Sequence, residues 1–112
     1  MSKKHYEKEF VVNGITLKMK RLGLADFPSF KTIYATAIES KDIAGLIKAH
    51  QTLYSWLEYE MIPGEWLPVY NPTEDKFIVD KLNDVTHADT IINIMLADIL
   101  APLFLNTAGL TK

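Results

Sequence analysis

Between residues 15 and 20 the chain alternates strictly, with Ile15, Leu17 and Met19 apolar and Thr16, Lys18 and Lys20 polar. A period of two is the mark of a strand with one buried face. Tyr6 to Val12 reads as its partner, and Asn13-Gly14 stands between the two. Asn and Gly tolerate the positive φ that a type I′ turn demands at both central positions, so the pattern predicts an N-terminal β-hairpin. A lone hairpin is only marginally stable, and its Ile15/Leu17/Met19 face is expected to lie on helices.

From residue 26 the period changes. Phe27, Phe30, Tyr34, Ala37 and Ile38 recur at helical spacing, behind Asp26 as N-cap and with Pro28 in the first turn, where its missing N–H costs nothing. Ser40 is expected to open a second helix, with Asp42 near the positive end of its dipole. Ile43, Leu46, Ile47, His50, Tyr54, Leu57 and Met61 mark one face of that helix to about residue 61, where Pro63-Gly64 stops it. Trp66 to Pro72 is too rich in proline for an interior helix or central strand and reads as an extended connector. Residues 73–84 suggest a short helix capped by Thr73. Thr86 with Asp89 three residues on resembles a capping box that opens the last helix.

That last helix contains the most apolar stretch, Ile91 to Leu105, in which only Asn93 and Asp98 are strongly polar. A helix apolar almost all round is buried on several sides or docks a partner. At about 15 residues it falls short of a bilayer span, and Pro102 should end or kink it near Ala101. Ile92, Met95 and Ile99 recur at core spacing. Leu103, Phe104 and Leu105, beyond Pro102, are the expected partner-binding anchors, and Asn106 to Lys112 should fray. The expected fold class is mainly α: a single helical domain over residues 6–105 with an N-terminal β-hairpin packed on the helices, flanked by a flexible N-terminus (1–5) and tail (106–112).

The 112 residues suit one domain with a core of its own. There is no cysteine, which removes disulfides, thiolate catalysis and cysteine metal sites. No apolar run follows Met1-Ser2-Lys3-Lys4, so no secretory signal is expected and a cytoplasmic location is the default. Charge is uneven: residues 1–21 hold six basic side chains against two acidic, and residues 58–98 hold nine acidic against two basic. Arg21 is the only arginine, and bidentate recognition of phosphate or guanine leans on arginine, which disfavours a nucleic-acid partner.

Candidate chemistry is thin. His5, His50 and His87 share no metal-ligand spacing, and His50 reads as a hydrogen-bonded structural histidine. Glu58, Glu60, Glu65, Glu74 and Asp75 read as a solvated acidic face; two apart on a helix, Glu58 and Glu60 would point different ways. Ser29, Ser40 and Ser55 sit in no nucleophile elbow, and no glycine-rich phosphate loop occurs. No catalytic residue, metal or cofactor is expected. Trp56, Trp66 and Tyr70 form an aromatic group near the connector, read either as its anchors or, for Trp66 and Tyr70, as hot spots of a partner groove.

A hairpin carrying Phe10-Val11-Val12-Asn13-Gly14-Ile15, then amphipathic helices, Trp66-Leu67-Pro68-Val69, an acidic segment and a very apolar C-terminal helix together resemble the tail assembly chaperones of long-tailed bacteriophages and prophages. The similarity covers most of residues 9–105 and rests on layout and size, without a diagnostic motif. It implies a non-enzymatic helper in the bacterial host cytoplasm, absent from the mature virion, that binds the helical tape measure protein, keeps it soluble and assists assembly of tail tube protein. Such chaperones often occur in two forms, the longer made by ribosomal frameshifting, which would diverge within Asn106 to Lys112. Self-association through the apolar helix is a further expectation, and no membrane partner is expected. The competing classes are a structural tail-completion or head–tail connector protein of the virion, and a small regulator binding nucleic acid through its basic end.

Overall fold

In the computed structural model, which describes residues 5–101, the chain opens as the expected hairpin. β1 (His5–Val12) pairs antiparallel with β2 (Ile15–Lys20), setting Val12 opposite Ile15 and Phe10 opposite Leu17. Asn13 and Gly14 have φ of 48° and 79°, the two positive values of a type I′ turn. Phe10, Val12, Ile15, Leu17 and Met19 share the inner face and are buried. The strand begins at His5, a residue expected in the flexible terminus; residues 1–4 lie outside the described part.

Two helices follow, α1 (Asp26–Glu39) and α2 (Ile43–Ser55). Ala25, not Asp26, occupies the N-cap of α1; the Asp26 carboxylate instead accepts the Gly23 N–H at 2.8 Å. Ser40 closes α1 where it was expected to open α2. The reason is Lys41, whose φ of 55° turns the chain and leaves Asp42 as the extended N-cap residue, accepting the Gly45 N–H at 3.1 Å. At Gly45 the helices pass so closely that a Cβ would stand 3.1 Å from that of Ala37.

The main correction lies beyond Ser55. The helix does not run to residue 61; Trp56 caps it, and β3 (Leu57–Ile62) begins at once. Leu57, Tyr59 and Met61 alternate with Glu58 and Glu60, so the same residues that fit a helical stripe also fit a strand, and pairing with β2 decides between them. Met19 faces Leu57 and Leu17 faces Tyr59. Pro63-Gly64 is a hairpin turn, with Gly64 at φ 84°, the positive value that position i+2 of a Pro-Gly type II turn requires. It leads into β4 (Glu65–Pro68), paired with β3. The expected connector at Trp66 to Pro68 is therefore an edge strand, where a missing donor is harmless. The sheet is four-stranded and antiparallel in the order β1-β2-β3-β4, and the protein is mixed α/β, not mainly α.

Residues 73–84 form no helix capped by Thr73. β5 (Tyr70–Asn71) and β6 (Lys76–Phe77) make a small second hairpin. Asn71 Oδ1 accepts the N–H groups of Thr73 and Glu74 at 2.9 and 3.2 Å, and Asp75 takes φ 52°. A 3-10 turn (Asp80–Leu82) follows, and Asn83 bonds both the N–H and the C=O of Phe77. The last helix, α3 (Val85–Ile94), is capped by Asp84, which accepts the Thr86 N–H at 2.8 Å, and not by the Thr86/Asp89 pair. It widens into a π-helical turn at Met95–Leu100.

Ile91, Ile92, Met95, Ile99 and Leu100 are buried in one core with the sheet's inner face, Phe30, Ala49 and Leu53. Ile92, Met95 and Ile99 are thus core residues, as their spacing indicated. Helix α3 packs against β1 and α2, and the core it joins takes buried residues from β1, β2 and β3 but none from β4. Among the described residues no helix is long and apolar enough to cross a membrane.

Candidate interaction surface

The aromatic group expected around the connector is divided among three places. Trp56, at the end of α2, packs edge-on to Phe30 with centroids 5.3 Å apart. Trp66, opposite Glu60 in β4, lies on the sheet face away from the helices. There its ring is 5.0 Å from that of His5, and the Lys18 ammonium stands 5.6 Å from its centroid. Tyr70 turns inward and is only 6% exposed.

Tyr70 belongs to a third cluster, with Tyr54 and Phe77 at centroid separations of 4.8 to 5.8 Å. Its hydroxyl donates to the Asp75 carboxylate. Burial, followed by that bond and the nearby negative charge, pushes its pKa well above the ordinary tyrosine value. Of the two aromatics expected to bind a partner, Trp66 is half-buried beside polar groups and Tyr70 has most of its ring in the core. Leu103, Phe104 and Leu105, the other expected anchors, lie outside the described residues, as do Pro102 and the tail.

What spacing along the chain did not single out is the junction of α2, α3 and the β5–β6 hairpin. Two open depressions of about 300 Å³ each meet there, sharing Tyr54, Val85 and Ala88 as a common wall. The Tyr54 hydroxyl lies 3.5 Å from the Ala88 carbonyl oxygen across that wall. Val85, the first residue of α3, is 86% exposed. On α2, Ile43 and Ile47 are largely exposed too, although the helical stripe they share with His50 and Tyr54 read as an inner face. The stripe leaves the core because Ala49 and Leu53, the buried residues of α2, lie on a different side of the helix.

His50 is half-buried on this side, 6.5 Å from the Tyr34 ring, and burial lowers its pKa against the opposing pull of Asp89. No hydrogen bond to its ring occurs among the described residues, so the expected bonded histidine is instead a half-buried ring beside Tyr34. His5 bonds Glu58 at 2.7 Å, and His87 is half-buried in the first turn of α3. Glu58 and Glu60 point the same way, contrary to expectation, since a strand returns to one face every second residue. No group of three or more His, Asp or Glu side chains poised for a metal occurs among the described residues.

Compared with family models, curated proteins and solved structures, the chain matches none.

Proposed function

We propose that this protein is a tail assembly chaperone of a long-tailed phage or prophage, a non-enzymatic protein that binds the tape measure protein and assists tail tube assembly in the host cytoplasm. The observation that supports this best is where its apolar surface lies. Val85 on α3 stands in solvent in the wall of two open depressions, and Ile43 and Ile47 on α2 are exposed as well. Such a surface suits the face of another chain better than a small substrate, which is usually engulfed in a cleft with converging polar groups. The order of parts that carries the resemblance is consistent with the same role: hairpin, paired helices, a Trp-Leu-Pro segment, an acidic stretch and an apolar last helix.

Co-expression with a tape measure protein, a very long helical chain, tests the proposal. A chaperone raises the soluble yield of that partner, co-purifies with it and is missing from finished particles. Stoichiometric retention in purified virions would instead identify a tail-completion or connector protein. Failure to alter the partner's solubility would remove the chaperone role.

A further inference from the structure

The twin depressions beside Val85 carry an inference that rests on the proposed role and names the chemistry of the partner. Their floor is apolar and aromatic: Tyr54, Phe77, Ala88 and Ile92 line one or both. Their margins are acidic. Asp75 and Asp84 border the first, and Asp89 borders the second. Among the described residues the one lysine in either wall, Lys76, is engaged by Glu74 at 3.2 Å. All three aspartates are exposed, and none faces a lysine or arginine within ion-pair distance among the described residues. An exposed valine between two hollows, ringed by unneutralised carboxylates, is complementary to one kind of protein surface.

We infer that this face docks a basic amphipathic segment of a partner protein, with apolar side chains seated in the two depressions around Val85 and lysines or arginines set against Asp75, Asp84 and Asp89. Apolar contact supplies the affinity, and the carboxylates select the sign of the partner and its orientation. Tyr54 divides the hollows and fixes the spacing of the incoming side chains. The opposite sheet face, where Lys18, Lys20, Glu58 and Glu60 mix both signs around Trp66, offers no such single-sign match.

The test uses the full chain and two model peptides of about five helical turns, one built from leucine and lysine, the other from leucine and glutamate. Amide chemical shifts of Tyr54, Val85, Ala88 and Asp89 should move on titration with the Leu/Lys peptide and stay still with the Leu/Glu peptide. Binding should weaken with added salt. Asp89→Lys should weaken it about tenfold or more by setting like charges together. Val85→Ser should also weaken it while leaving the melting temperature unchanged, because the side chain is already in solvent. Equal binding of the two peptides, binding of neither, shifts confined to the sheet's outer face, or wild-type affinity in Val85→Ser would each overturn the assignment. The chaperone role stands apart: if Val85→Ser and Asp89→Lys still solubilise the long partner as the wild type does, this face is wrong and the role survives. If the wild type solubilises nothing, the role falls and the peptide titration alone decides the face.

Discussion

His5, at the start of β1, reaches over β2 to hydrogen-bond Glu58 in β3 at 2.7 Å. The two side chains are only 9% and 19% exposed, although they lie on the sheet face turned away from the helices. Trp66 and Lys18 cover them, with the indole against the imidazole and the ammonium over the indole. A register shift loosens β1 between His5 and Glu9, so this bond ties the first residue of the strand across two neighbours.

Glu58→Ala should therefore free the N-terminal end of β1 without unfolding the sheet. The expected readouts are a changed Trp66 fluorescence and faster amide exchange near Tyr6, with Phe10 to Val12 still protected. Unchanged exchange at the strand's start would show that pairing with β2 holds His5 alone.

The β1–β2 turn makes a sharper prediction. Gly14 sits at φ 79° with open space where a Cβ would go, so any penalty for a side chain there comes from the backbone. Gly14→Val should cost about 1–3 kcal/mol, the usual range for holding a non-glycine residue in such a conformation. A melting temperature equal to wild type would mean that the turn relaxes to another type.

This turn was readable because two adjacent residues determine it. The rest of the sheet was not, and the reason is specific. Leu57 and Met61 extend the helical spacing of His50 and Tyr54, while Leu57, Tyr59 and Met61 also alternate with two glutamates. Only the long-range pairing of Leu17 with Tyr59 and Met19 with Leu57 resolves the choice. Pro63-Gly64 ends a helix and turns a hairpin equally well, and Pro68 looks disqualifying until the strand proves to be an edge. The twin depressions were hidden for a similar reason. They are built from α2, α3 and β6, and nothing in the local spacing of Val85 shows that Tyr54 and Phe77 stand beside it.

Helix α2 depends on a single cap. Asp42 accepts the Gly45 N–H, and a Cβ at Gly45 would crowd both the Asp42 carboxylate and Ala37 of α1. Asp42→Ala should cost about 1 kcal/mol, as loss of an N-cap typically does, and Asp42→Asn should restore most of it. Chemical denaturation of the three proteins checks this. An alanine variant as stable as wild type would show that the Lys41 turn alone positions the helix.

Asp84 caps α3 and should make the protein's stability fall in acid. Its carboxylate accepts the Thr86 N–H, which is the main reason its pKa lies below the ordinary 3.8; loss of solvation opposes this, and the Thr86 side chain and His87 add smaller pushes downward. A group whose pKa is lower folded than unfolded contributes stability that is complete above the unfolded value and disappears as pH falls through the folded one. Asp84→Asn keeps a good capping side chain but removes the charge that favours the positive end of the helix dipole. The variant should melt slightly below wild type at neutral pH, with the gap closing as pH drops through and below 3.8. Because the site is exposed, added salt should narrow the neutral-pH gap. Thermal melts across that pH range at two salt concentrations decide it. A gap that stays constant into strong acid would mean that the aspartate acts through its shape and hydrogen bond and not through its charge.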